Sequence, residues 1–129
     1  MDVSYELWFR DVYQDDLARK TICAAVRPGD RRSPLPKGTR IGEIVKIRII
    51  VKPGSEEQNI CPVFNDFETC VRITNLTVKA ICELTHNDLH FCSRDAQSVE
   101  AVKSHLKKIY HRDFSDQELV TVINWEYLH

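Results

Sequence analysis

Four side chains within a span of eight residues carry most of the chemistry available to this sequence: Lys20, Thr21, Cys23 and Arg27. A lysine acts as a base when desolvated and as a fixed cation otherwise. A cysteine attacks as its thiolate, which a neighbouring positive charge favours. An arginine grips an anion with a planar fork of donors. Arg31, Arg32, Lys37 and Arg40 carry the positive charge onward through a Pro/Gly-rich loop. From Arg19 to Arg40 seven basic residues face one acid, Asp30, so this segment is +6 on a chain of net charge −1. Local field rather than net charge attracts phosphate, so the segment is a candidate anion or nucleic-acid surface, against the plainer reading of a solvated basic loop. His86, His90 and Cys92 form a His-x-x-x-His-x-Cys run. A closed zinc site needs a fourth ligand, which the run lacks, and no metal is assigned to it.

The elements that position these groups follow from hydrophobic periodicity. Residues 3–9 read as a strand and Arg10 to Arg19 as a short helix with Val12, Tyr13 and Leu17 inward and Asp11 as a cap. Lys20 to Val26 reads as a second strand, whose alternation places Thr21, Cys23, Ala25 and Arg27 on one face. Pro28-Gly29 ends it, and Pro34 and Pro36 stiffen the loop that follows. Arg40 to Lys52 is the clearest strand, with Val45, Ile47, Ile49 and Val51 on one side and Lys46, Arg48 and Lys52 on the other. Residues 55–69 read as a surface loop. From Cys70 to Leu84 the apolar phase switches from odd to even positions, which predicts a bulge or turn near Thr74-Asn75. A helical turn begins at Thr85. Ser98 to Tyr110 is the best helix, with Val99, Val102, Leu106 and Ile109 as its stripe and Asp95 available as a cap ahead of it. Val120 to Leu128 closes the chain as a strand bearing Ile123, Trp125 and Tyr127 on one face.

The totals exclude several classes. With 129 residues, 43% of them hydrophobic and 29% charged, the chain is long enough to bury one core and too apolar to be disordered. No apolar run approaches the ~20 residues that span a bilayer, so no membrane partner is expected. Five cysteines, an odd number without a Cys-x-x-Cys pair, suit a reducing compartment, and the N-terminal residues lack a secretory pattern; the expected location is cytoplasmic.

Lys20-Thr21 behind a short helix, Arg27 just beyond, a Pro/Gly-rich loop and a glycine (Gly38 or Gly42) before a strand together resemble an ASCH domain. The likeness extends through Leu7-Trp8-Phe9, Gln14-Asp15-Asp16-Leu17, the helix end Leu106-Lys107-Lys108-Ile109-Tyr110 and the closing segment from Val120 to Glu126. The resemblance implies an α+β fold, a PUA-like and mostly antiparallel β-barrel with two main helices, residues 1–129 forming one ASCH-like domain. The chain is most similar to small bacterial members that hydrolyse N4-acetylcytidine to cytidine and acetate. Those imply a catalytic lysine, a threonine three residues later and a distant glutamate. By position these fall on Lys20, Cys23 and Asp95, so two of the three are substituted, and Ala18 stands where a glycine usually precedes the Arg-Lys pair.

Two functions follow from the resemblance. The first is a module that binds RNA or a modified nucleoside in a basic cleft framed by Thr21, Arg27, Arg31, Arg32 and Arg40. The second is an amidohydrolase in which Cys23 or water is the nucleophile, Lys20 the base and Asp95 its orienting partner. Neither implies a metal or other cofactor. Each residue also has a structural reading: Cys23 as a small buried hydrophobe, Lys20 as a helix C-terminal cation, Asp95 as a cap. The 53–69 loop is a third candidate, as a protein-contact surface.

Overall fold

A nine-residue strand, β3 (Ile44–Lys52), anchors the architecture. Its alternation is as regular as the sequence suggests: Val45, Ile47 and Ile49 are wholly buried, and only Val51, near the strand end, escapes to solvent. The computed structural model describes residues 5–35, 37–55 and 57–128. Around β3 are β1 (Glu6–Arg10), β2 (Ala24–Pro28), β4 (Val63–Ala80) and β5 (Leu119–Tyr127) in one sheet of order β1-β3-β4-β5-β2. β1 runs parallel to β3, and the other three pairings are antiparallel. The helices are α1 (Gln14–Ala18), α2 (His86–Leu89) and α3 (Val99–Tyr110), with 3-10 turns at Asp11–Tyr13, Ile81–Glu83 and Arg94–Ala96.

β4 gives the sheet its curl. Its first half pairs with β3 and its second half with β5, and the register slips between Ile73 and Asn75. The expected phase change at Thr74-Asn75 is therefore a bulge, where one strand turns a corner between two neighbours. Two cores result. One gathers Leu7, Phe9, Leu17, Val45, Ile47, Ile49, Val71, Ile73, Ile123 and Trp125. The other gathers Ala24, Val26, Ile81, Leu89, Val102, Leu106, Val120 and Val122 under α3. β5 feeds both, which is why Val120 to Ile123 are all buried.

Four local expectations are corrected. Residues 63–69 are strand, not loop: Asn65, Asp66 and Glu68 hide the pattern, but Phe64 stacks beneath the Arg48 guanidinium at 3.7 Å and Phe67 packs on the first core. β2 begins at Ala24, not Lys20. Lys20 has φ +64°, and the N–H groups of Lys20 and Thr21 return to the carbonyls of Leu17 and Asp16 at 3.1 and 3.0 Å. Those two bonds make a Schellman helix exit, so Lys20 to Cys23 do not alternate and Thr21 and Cys23 do not share a strand face with Arg27. The segment after β1 is a 3-10 turn and a short helix rather than one helix, with Val12 exposed and Asp11 making no cap bond. α3 is capped by Ser98, whose hydroxyl accepts from the Ala101 N–H at 3.1 Å, whereas Asp95 sits in the preceding 3-10 turn. Val3 and Ser4 of the expected first strand, and Pro36 of the loop, lie outside the described residues.

Candidate nucleotide-binding cavity

The strand order leaves β1 and β2 as the two edges of the sheet, and the curl brings them toward each other without main-chain pairing. Arg27, projecting from β2, bridges the seam. Its NH2 group donates to the Trp8 carbonyl of β1 at 3.1 Å, its NH1 group donates to the Val26 carbonyl at 3.3 Å, and its guanidinium lies 4.9 Å from the centre of the Phe9 ring. Among the described residues no carboxylate pairs with it. Burial pulls its pKa down from the ordinary value, yet a guanidinium stays charged in a protein. Arg27 is half-buried, so its charge is partly desolvated, and an anion placed against it offsets that cost.

Space for such an anion lies along the seam. A cavity of about 590 Å³ runs between β1 and the C-terminal half of α3, and Arg27 and Arg31 form part of its wall. That volume falls in the ordinary range of small-molecule sites. Arg10, Arg27, Arg31, Lys37, His105 and His111 line it, against one acid, Glu6, which is held by Trp8 Nε1 at 2.9 Å and Arg48 at 3.4 Å. Tyr5, Trp8, Phe9, Tyr13 and Tyr110 supply aromatic surface, with Trp8 and Tyr110 partly open to solvent. The basic loop is pinned to the sheet by the buried Thr121, whose hydroxyl donates to the Gly29 carbonyl at 2.7 Å and accepts from the Arg31 N–H at 2.9 Å. Arg31 Nε donates to the Pro28 carbonyl at 2.7 Å, which fixes that guanidinium beside the cavity.

At the inner end Tyr13, Asp95 and His105 form a polar cluster. The Tyr13 hydroxyl donates to Asp95 Oδ2, and Ser93 Oγ donates to Asp95 Oδ1 at 2.5 Å. His105 Nδ1 lies 3.2 Å from the Tyr13 oxygen and 3.5 Å from Asp95 Oδ2. Since the Tyr13 proton goes to Asp95, its oxygen accepts from Nδ1–H, and this assigns the imidazole tautomer. Burial raises the Tyr13 pKa, and Asp95 reinforces it. Burial alone would raise Asp95 too, but the bonds from Ser93 and Tyr13 and the His105 charge outweigh it and leave the carboxyl below its usual range. Burial lowers His105, with Arg27 and Arg10 adding to the effect against the pull of Asp95.

The residues singled out by sequence are divided. Arg27 and Arg31 wall the cavity, and Asp95 reaches it through Tyr13 and His105. Lys20, Thr21 and Cys23 do not line it. Lys20 is exposed, its Nζ 6.0 Å from the Tyr127 ring centre, and Thr21 is turned to the Asp16 carbonyl. Cys23 Sγ lies 3.6 Å from the Lys20 carbonyl, and burial pushes the thiol up, the opposite of an activated nucleophile. Arg32 is locked to Asp30 by two bonds of 2.9 and 2.6 Å, and Arg40 donates to Ser33 Oγ at 3.0 Å; neither lines the cavity. His86 and His90 have ring centres 5.7 Å apart, but Cys92 is sunk in the second core with its thiol pushed up to about 12 by burial. No group of three metal-ligating side chains is assembled among the described residues. Sequence reasoning missed Tyr13, His105 and the β1 aromatics. The signal for the aromatics was the cluster Tyr5, Trp8, Phe9, Arg10 and Tyr13, which lies outside the basic segment and folds against it.

The five strands form a curled α+β half-barrel whose seam is basic and aromatic-lined. The crystal structure of an ASCH domain from Lactobacillus crispatus JV V101 is similar to this chain, with a TM-score of 0.59 and 8% identity, over 97% of this chain and 80% of that one. The likeness establishes the ASCH fold. No family model matches the sequence, and no curated protein does. Among the described residues no helix is long and apolar enough to cross a membrane.

Proposed function

We propose that the chain acts as a single ASCH-like domain that binds RNA or a nucleotide in the seam cavity. The observation that carries this reading is Arg27, a half-buried cation with no carboxylate partner among the described residues, at the wall of a cavity that also offers Arg10, Arg31 and Lys37. Positive charge positions a phosphate, and the open faces of Trp8 and Tyr110 suit a stacked base. The aromatic surface absent from the basic loop comes from β1 and α3.

Fluorescence anisotropy with a labelled single-stranded oligoribonucleotide tests the reading. Each neutralised phosphate contributes roughly −0.7 to the slope of log affinity against log salt, so four lining cations give about −3 at most. Quenching of Trp8, the partly exposed member of the two tryptophans, locates the ligand. Salt-independent binding, or binding that leaves Trp8 unaffected, sinks the reading.

A further inference from the structure

Arg27 and His105 are the two charge-bearing groups that line both the large cavity and the small hollow behind it. They differ in what holds them. Arg27 is tied to two carbonyls and permanently positive. His105 is tied by Nδ1 to the Tyr13–Asp95 pair, while Nε2 makes no hydrogen bond within the described residues. Burial disfavours its charge most, and four groups from the elements around it act as well: Asp95 of the 3-10 turn before α3 favours the imidazolium; Arg27 of β2 and Arg10 of β1 oppose it; Tyr13 orients the ring. An anion beside Arg27 offsets the opposing guanidinium field, and only a second negative charge adds to the pull of Asp95 against the burial that holds His105 neutral.

We propose that His105, positioned by Tyr13 and Asp95, forms with Arg27 a proton-coupled site for a terminal phosphate monoester, so that the cavity selects a 5′- or 3′-phosphorylated nucleoside or RNA end over an uncharged nucleoside or an internal phosphodiester. This deepens the nucleotide-binding reading and rests on it. The balance is simple. The free site holds Arg27⁺ and neutral His105. A monoester, close to a dianion above its second pKa of about 6, enters with one proton taken from solvent onto Nε2. Two positive charges then meet two negative ones, and Asp95 stabilises the new imidazolium from behind through Nδ1–H. A phosphodiester carries one negative charge, which offsets the Arg27 field and leaves burial to keep His105 neutral, so it draws no proton.

Isothermal titration calorimetry near pH 7.5, in buffers of different ionisation enthalpy, counts the protons taken up per ligand. The probes are a nucleoside 5′-monophosphate, a short RNA with and without a 5′-phosphate, the methyl diester of the monophosphate, and the free nucleoside. Expected are uptake of at least half a proton with the monophosphate and the 5′-phosphorylated RNA, near zero with the diester, and affinity at least tenfold tighter for monoester than for diester. His105→Gln should abolish the uptake and level monoester with diester, and Tyr13→Phe, which removes the hydroxyl partner of Nδ1, should reduce the uptake while the protein remains folded. Monophosphate binding with no uptake, or equal uptake in His105→Gln, overturns the proton coupling and leaves the nucleotide reading standing. Absence of binding by every probe overturns both. Tighter binding of the 5′-phosphorylated RNA than of the monophosphate identifies an RNA end as the ligand, and the reverse identifies a free nucleotide.

Discussion

Replacing Arg27 by methionine separates binding from folding. The guanidinium has five N–H donors, of which one goes to the Val26 carbonyl and one to the Trp8 carbonyl. That leaves Nε–H and one N–H on each terminal nitrogen to meet a ligand, enough for a bidentate fork on phosphate. Truncating one partner of a buried, hydrogen-bonded charge pair costs about 2–5 kcal/mol, so Arg27→Met should weaken nucleotide binding by roughly 30-fold to several thousand-fold. The effect on the unliganded fold is far smaller. Methionine gives up two carbonyl bonds but relieves the burial of a charge, and its stem keeps apolar contact near Phe9. Those terms oppose, and the net change in stability should stay within about 2 kcal/mol, a melting shift of no more than roughly 8 °C. Arg27→Lys keeps the charge without the planar fork and should recover only part of the loss. Calorimetric titration and thermal unfolding on the same three proteins read both quantities. A folded Arg27→Met protein that binds within threefold of the wild type would refute the argument, because the ligand would then not be using the Arg27 guanidinium.

Two further outcomes are expected away from the cavity wall. Iodoacetamide followed by mass spectrometry should label the exposed Cys61 and Cys82 first, Cys23 slowly and Cys92 only on unfolding, because burial raises both of the latter thiols; rapid labelling of Cys23 would contradict its assignment as an unactivated thiol. Asp88 accepts from Lys79 Nζ at 2.7 Å and from the Thr85 backbone and hydroxyl. Burial alone would raise its pKa, but these bonds outweigh it and the net shift is downward. A depressed folded-state pKa stabilises the protein above the unfolded carboxyl value of about 4 and loses that contribution as pH falls through the folded value. Urea unfolding should therefore show Asp88→Asn losing less stability than the wild type between about pH 5 and pH 3; equal losses would mean the shift is absent.

Local pattern made β3, α3 and β5 legible because each has one face against a core and a period to match, and the phase switch at Thr74-Asn75 marked the bulge before any pairing was known. The first part of β4 escaped notice because Phe64, set against Arg48 and Trp8, and Phe67, packed on the first core, break strict alternation and the residues around them are polar. The Lys20 to Cys23 stretch misled for a different reason: a left-handed residue is invisible in composition, and a lysine adopts that conformation here because two helix-terminal carbonyls are satisfied by it. Arg27 and Arg31 were legible as cations in a basic run. His105 was not, since its significance depends on Tyr13 and Asp95, 92 and 10 residues distant, and only the packing of α3 against the turn after β1 brings them together.

The seam explains why the site is where it is. Edge strands are a liability, because their free N–H and C=O groups invite pairing with another chain. A fully closed barrel removes the edges and leaves no room between them. In this chain β1 and β2 approach closely enough for one side chain to cross from Arg27 to the Trp8 carbonyl, and not closely enough for main-chain pairing. The gap is then walled by α3 on one side and the loop pinned by Thr121 on the other. Arg27 satisfies part of the unpaired edge and, at the same point, presents its remaining donors to the space that incomplete closure creates. An apolar residue in place of Arg27 would remove those donors from the seam, so this half-buried charge is the feature on which the proposed binding rests.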